Sequence, residues 1–305
     1  MKTALLFSGQ GAQYVGMGKD LYDTFDCAKR IFDKADQILG YSITQIMFED
    51  EEKLNDTKYT QVAMFTLYAA ILEVMKLKGI QAYYSMGLSL GEYGAMYHNN
   101  VFDFETGVKL LEQRGRFMQE ASMNVDGKMS AILGMEDKAL KELLEEVNGY
   151  VKIANYNTYG QLVISGEEQA VLKVNELALA NGAKRAISLN TSGPFHTALM
   201  EEASDKLGEY IEDIDFKKPE YIMLVNTTGT YFGGDIKDEM ITQITSSVKF
   251  YQMIERALKD GVDTFIEVGP KKTLLGFVKK VNRNVTMCNI EDVDSLEATL
   301  KKLEE

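Results

Sequence analysis

Gly87-Leu88-Ser89-Leu90-Gly91 sets a serine two residues from a glycine on either side. At a sharp strand-to-helix turn this spacing lifts the hydroxyl clear of the backbone, and the small residues let the chain cross itself closely. The flanks suit that turn: Gln81 to Met86 reads as a short strand, and a helical pattern follows the second glycine. The competing reading is a tight glycine-rich turn whose serine only caps the next helix. A nucleophilic serine needs a base, and the chain has two histidines, His98 and His196. His98 lies near the end of the helix after Ser89, beside Asn99 and Asn100, which points to a surface role. His196 lies in Ser192-Gly193-Pro194-Phe195-His196-Thr197, where glycine and proline stiffen the backbone, and is the better partner for Ser89.

The serine precedes the histidine, and more than a hundred residues follow His196. An esterase of the usual Ser…Asp/Glu…His order, with its histidine near the end, therefore fits poorly. The loop Gly9-Gln10-Gly11-Ala12-Gln13 invites a nucleotide reading, which fails. A dinucleotide fingerprint needs glycine where Tyr14 stands, and a phosphate-binding loop needs glycine at Gln13 and Ser or Thr at Asp20. Backbone N–H groups in such a loop can instead face an oxyanion; the plain alternative is a strand-to-helix connection.

Arg114 and Arg116 fall on different helix faces. Leu110, Phe117 and Met118 share the stripe of Arg114, whereas Arg116 falls with Glu112 and Glu120 on a solvated face. An arginine on an apolar stripe needs an anion, supplied by a protein carboxylate or by a substrate. Spacing leaves both open.

The elements that must hold these residues alternate along the chain. Thr3 to Phe7 reads as a buried strand, and Leu21, Phe25, Phe32, Ala35 and Leu39 as one helix. Thr60 to Lys78 reads as a second helix, and Asp103 as the N-cap of a third running to about Ala121. Residues 125–190 then follow the order βαββαβ: strand-like at Lys128 to Leu133, Tyr150 to Ala154, Gln161 to Ser165 and Ala183 to Leu189, helical at Asp137 to Val147 and Glu167 to Asn181. That order is ferredoxin-like. Further strands at Tyr221 to Asn226 and Thr264 to Val268 alternate with helices near Ser247 to Lys259 and after Gly269-Pro270, favouring a mainly parallel sheet. The expected organisation is a large α/β subdomain, 1–124 and 191–305, interrupted by a small one at 125–190.

Composition narrows the functions. With 33 Lys+Arg against 46 Asp+Glu, the net charge is −13, which disfavours nucleic acid or an anionic membrane as partner. Cys27 and Cys288 make no disulfide framework, and with two histidines no zinc-ligand spacing occurs, so no metal is expected. MKTALLF is too short for a secretory apolar region, and no uninterrupted apolar run approaches the ~18 residues of a membrane span. A cytoplasmic protein is expected, as a monomer.

Six segments, in order, resemble the malonyl-CoA:acyl-carrier-protein transacylases, relatives of polyketide synthase acyltransferase domains. FSGQGAQ at 7–13 is similar to the family's F-P-G-Q-G-x-Q, GLSLGEY at 87–93 to G-H-S-L-G-E, and QRGRFMQEA at 113–121 to R-G-x-x-M-Q-x-A. ANYNTYGQLVISG at 154–166, GPFHTALM at 193–200 and EVGPKKTL at 267–274 match three more of its motifs. The resemblance implies an α/β-hydrolase-like body with a ferredoxin-like insert. It implies Ser89 as acylated nucleophile and His196 as general base and acid. Gln10 and the Leu90 N–H would form the oxyanion hole, and Arg114 would hold the malonyl carboxylate. It implies ping-pong transfer from coenzyme A to the phosphopantetheine thiol of an acyl carrier protein, in fatty-acid or polyketide synthesis, with no bound cofactor. Lys184, Arg185, Lys279 and Lys280 stand where the family docks its carrier. An editing hydrolase on the same scaffold and a non-catalytic carrier-binding subunit are the rival readings; Arg114 speaks against the first, and retention of Ser89 and His196 against the second. The chain departs from the family at Leu88 (usually His), at Ser8 (usually Pro), and in QITSSVKF at 243–250, where Ser247, Lys249 and Phe250 replace Pro, Gln or Arg, and Trp. In that region a main-chain carbonyl is expected to orient His196. Phe195 resembles the malonyl-selective form of its motif; excluding one methyl branch is worth only ~1–3 kcal/mol.

Overall fold

The structure, a computed structural model, describes residues 1–304. Strand β1 (Thr3–Phe7) is followed by α1 (Lys19–Thr24), α2 (Asp26–Leu39), α3 (Ile43–Glu49), α4 (Glu51–Asn55) and the long α5 (Thr57–Leu77). Then come β2 (Tyr84–Gly87), α6 (Gly91–His98) and α7 (Phe104–Met123). The middle of the chain forms β3 (Gly127–Leu133), α8 (Asp137–Glu145), β4 (Val151–Thr158), β5 (Gln161–Glu167), α9 (Glu168–Ala180) and β6 (Arg185–Ser188). The last third forms α10 (Glu201–Ile211), β7 (Ile222–Val225), β8 (Thr230–Tyr231), α11 (Ile236–Thr245) and α12 (Phe250–Lys259). It closes with β9 (Thr264–Val268), α13 (Thr273–Val281), β10 (Thr286–Ile290) and α14 (Val293–Leu303).

Six strands form one sheet in the order β10-β9-β1-β2-β7-β8, parallel except for the edge strand β8. β1 reads TALLF because both of its faces are covered by helices: all five residues are buried. From β1 the chain moves one way through β2 and β7, then crosses back to β9. Strand order reverses beside β1, and crevices at the carboxyl ends of such strands are where α/β sheets bind ligands. The loops after β1 and β2 open there, carrying Gln10 and Ser89. Beneath them α5 packs against α7 and α2. By length and composition α5 is apolar enough to cross a membrane, yet 78% of its most apolar window is buried inside the protein. Thr60, Gln61 and Thr66 break the apolar run expected of a span and are themselves buried.

The insert is an antiparallel sheet in the order β4-β5-β3-β6, which with α8 and α9 gives the ferredoxin-like arrangement. Its strands alternate. Ile132, Ile153, Leu162 and Ile164 face Leu140, Val171 and Val174 of the two helices, while Met129, Ala154 and Val163 face the main core. A register shift between Ile153 and Asn155 frees β4 to bond the segment after α11: the Val248 N–H donates to Ala154 O at 2.8 Å, and the Tyr156 N–H to Val248 O at 2.8 Å. One wall of the crevice is thereby fixed to the other.

One element differs from expectation. The helix expected through Leu21 and Leu39 is two helices, because Phe25 is extended (φ −118°, ψ 116°) and ends the first while its carbonyl starts the second. Leu21 and Phe32 both still reach the core, so the apolar spacing reads straight through the break. Asp103 caps α7 as expected, accepting from the Thr106 N–H at 2.8 Å.

Candidate active site

Ser89 sits between β2 and α6 in the left-handed region (φ 53°). The two motif glycines are steric necessities. A Cβ on Gly87 would lie 2.0 Å from the Gly91 carbonyl carbon, and one on Gly91 would lie 2.1 Å from Phe7 O. The strained turn is held from both sides. The Ser89 N–H donates to Asn226 Oδ1 at 2.7 Å, and Ser89 O accepts from Gln243 Nε2 at 3.0 Å.

His196, also left-handed (φ 62°), reaches Ser89 Oγ with Nε2 at 2.7 Å. Its Nδ1 is 2.9 Å from the main-chain carbonyl of Gln243. A carbonyl only accepts, so Nδ1 carries the proton and Nε2 presents its lone pair to the serine hydroxyl. That tautomer is the one able to take the serine proton, and a main-chain oxygen fills the orienting place that a carboxylate fills in a Ser-His-Asp triad. Burial brings the imidazole down to about 4; the Gln243 carbonyl opposes this, and the positive charges of Arg114 and Lys152 add to it. The ring is neutral around pH 7. His98 lies outside this site, half-buried, with Nε2 3.1 Å from Ala82 O and its ring against Tyr221.

Arg114 is buried, 1% exposed, and its fork is held by neutral groups. Nη1 donates to Gln61 Oε1 at 2.6 Å and Nη2 to Gln243 Oε1 at 2.9 Å, while Cζ lies 4.9 Å from the centre of the Tyr93 ring. Nε has no partner among the described residues, and none of their carboxylates forms an ion pair with this guanidinium. Of the two sources the sequence left open, a protein carboxylate in direct contact is not found among the described residues. Arg116 is exposed, with Nε 3.7 Å from Glu120, on the solvated face expected for it.

Gln10, Ser89, Arg114, His196 and Phe195 line one cavity of about 160 Å³, with Met118, Met129 and Asn157 among its other walls. The Gln10 side chain is tied to Thr57 Oγ1 at 2.9 Å, and Thr57 to Ser192 Oγ at 2.7 Å. The N–H groups of Gln10 and Leu90 are not engaged by other described residues. Leu90 is the N-cap of α6, whose amino end points its dipole at the serine. No group of three or more metal-ligating side chains occurs among the described residues.

Sequence reasoning missed Gln61, Asn226 and the side chain of Gln243. Gln61 carried a signal, a lone amide in the otherwise apolar run of α5. Asn226 and Gln243 stood at the end of an expected strand and the start of a quoted segment, with nothing in either place to mark a role. Lys249 is the N-cap of α12 and donates its N–H to Asn226 O at 3.0 Å, a backbone role indifferent to its side chain.

A positive-φ serine after a parallel strand, a histidine within hydrogen-bond reach, and two amides beside them that no other described residue engages make a serine acyl-transfer site on an α/β sheet. Residues 4–298 match the family described as the acyl transferase domain. The malonyl CoA-acyl carrier protein transacylase of Bacillus subtilis (strain 168) is 42% identical over 310 residues, covering 100% of this chain and 98% of the relative. The crystal structure of malonyl CoA-acyl carrier protein transacylase from Clostridium perfringens ATCC 13124 superposes with a TM-score of 0.96 at 43% identity, over 100% of this chain and 98% of that one. A malonyl-transacylase solved in complex with a type II PKS acyl-carrier protein gives a TM-score of 0.95 at 33% identity, over 99% of each chain. The chain belongs to the malonyl-CoA:acyl-carrier-protein transacylases, within the acyl transferase domain family.

Proposed function

We propose that this enzyme transfers malonyl from coenzyme A to the phosphopantetheine thiol of an acyl carrier protein, with Ser89 as the residue acylated between the two half-reactions. Ser89 Oγ attacks the thioester carbonyl as His196 Nε2 takes its proton. The oxyanion is met by the N–H groups of Gln10 and Leu90. The C–S bond breaks, and the proton on Nε2 passes to the departing coenzyme A sulfur. The carrier thiol enters by the reverse course, giving up its proton to His196 and leaving with the malonyl group. Residues 1–124 and 191–305 form the catalytic subdomain in this reading, and residues 125–190 the smaller one closing over it. The cytoplasm is its place of work, where coenzyme A thioesters and carrier proteins meet.

Arg114 carries the reading. A buried guanidinium given only neutral amides by its own protein suits a substrate that brings a carboxylate, and malonyl brings one; a hydrolase of plain acyl chains has no use for it. The docking face is assigned to Lys184, Arg185, Lys279 and Lys280, all exposed. Intact-mass measurement tests the whole. The protein should gain one malonyl from malonyl-CoA and lose it on addition of carrier protein, while Ser89→Ala, still folded, should gain none. Malonyl on Ser89→Ala would overturn the nucleophile, and loss of malonyl to water without transfer would favour the editing hydrolase.

A further inference from the structure

Glu92, three residues after the nucleophile, is fully buried and has no part in the proton and acyl transfers above. Its Oε2 accepts the Asn226 N–H at 2.6 Å. No N–H or hydroxyl group reaches Oε1, and the Glu239 carboxyl lies beside that of Glu92. Burial, and next the charge of Glu239, raise the Glu92 carboxyl well above its ordinary value. From the other side Thr227 fastens Glu239, its hydroxyl donating to Oε2 at 2.6 Å.

The two residues that meet Glu92 belong to the clamp on the nucleophile. Asn226 spans the elbow with its side-chain amide: Oδ1 accepts the Ser89 N–H, and Nδ2 donates to Gly87 O at 2.7 Å. Glu239 lies one turn before Gln243 on α11, on the same helix face. Gln243 holds Ser89 O, Arg114 and His196 Nδ1.

We propose that Glu92 is a positioning residue for the acyl transfer: its buried carboxyl joins Asn226 and α11 to the elbow helix, and so fixes the peptides on both sides of Ser89 at the distance His196 requires. The proposal rests on Ser89 as the acylated residue. The groups facing Glu92 are Glu239 from α11, the Arg114 guanidinium from α7 and the neutral Asn226 peptide. Glu239 makes loss of the proton a repulsion between two buried carboxylates; Arg114 relieves part of it. The sign follows: a raised acid holds the clamp at low pH and releases it as pH rises.

Glutamine at this position keeps an oxygen for the Asn226 N–H and an N–H for Glu239, and cannot ionise. Single-turnover acylation by malonyl-CoA separates positioning from a merely structural role. Glu92→Ala should slow acylation roughly 10–100-fold, with KM for malonyl-CoA within about threefold because Glu92 makes no hydrogen bond to Arg114, whose fork is held by Gln61 and Gln243. Glu92→Gln should restore the rate to within about threefold. Native kcat in Glu92→Ala would overturn the proposal. So would matched losses in kcat and KM in both variants. If Glu92→Ala does not fold, Glu92→Leu, closer to the native volume, takes its place, and native kcat there overturns the proposal. Peptide mapping of the malonyl group keeps the two readings apart: malonyl found elsewhere than Ser89 overturns the nucleophile whatever the Glu92 variants do.

Discussion

Arg114 and Ser89 are joined through one side chain: Gln243 accepts from Arg114 with its amide oxygen at 2.9 Å and donates to Ser89 O with its amide nitrogen at 3.0 Å. In the proposed mechanism the group that reads the acyl chain and the group that attacks it are therefore held to one spacing: a carboxylate docked on the fork would present its thioester carbonyl at a set distance from Oγ.

Removing Arg114 should accordingly change which acyl group is used. Charge-assisted contact to a carboxylate is worth on the order of 1.5–3 kcal/mol, so Arg114→Ala should lose roughly tenfold to more than a hundredfold in kcat/KM for malonyl-CoA. Acetyl-CoA has no carboxylate, and its use should hold or improve. Arg116→Ala, on the solvated face, should change neither. The ratio of malonyl to acetyl transfer is the readout, with thermal melting as the check on folding. A uniform loss for both substrates with a lower Tm would make Arg114 structural.

The depressed basicity of His196 predicts an unusual acid limb. The acylation rate needs the neutral ring, so with the group at about 4, kcat/KM should persist well below the ordinary histidine range near 6.5 and fall only toward pH 4. The same shift acts on stability. Below about 6.5 the unfolded chain protonates this histidine while the native one does not, and stability drains away as pH falls toward 4, by on the order of 2–4 kcal/mol. His196→Gln should lessen that acid destabilisation while abolishing acylation. A native acid limb near 6.5, or an unchanged slope of Tm against pH in the variant, contradicts the buried neutral ring.

Local chemistry made the two poles of this site legible in sequence. Ser89 and His196 each stand in short runs of glycine and proline whose backbone geometry is encoded within a few residues, and Arg114 betrays itself by sharing a stripe with Leu110 and Phe117. What the chain did not show is what long-range folding assembles. Gln61, Asn226 and Gln243 are ordinary amides until α5, the end of β7 and α11 bring them within 3.0 Å of their partners. The order βαββαβ survived the reading because its strands alternate, whereas the break at Phe25 did not, because the apolar spacing of Leu21 and Phe32 passes over it unchanged.

Docking of the carrier protein should depend on a local reversal of the chain's overall charge. Acyl carrier proteins are acidic, and a net charge of −13 repels them except where cations gather. The insert's sheet places Arg185 opposite Leu133, and Leu133 opposite Gln161, in one row across β6, β3 and β5. Lys280 of α13 donates to Gln161 Oε1 at 2.6 Å, so the pair Lys279-Lys280 continues the row that Lys184-Arg185 begins. Four cations from two subdomains thus share one end of the molecule. Solvated surface lysines would tolerate reversal; a docking face would not. With Lys184, Arg185, Lys279 and Lys280 all changed to Glu, self-acylation by malonyl-CoA should stay within about twofold, while kcat/KM for the carrier protein should drop at least tenfold at low salt. Raising the salt should narrow the gap between the native and reversed enzymes, because screening weakens an attraction and a repulsion alike. Equal loss in both half-reactions, or in neither, would remove these four residues from the docking face.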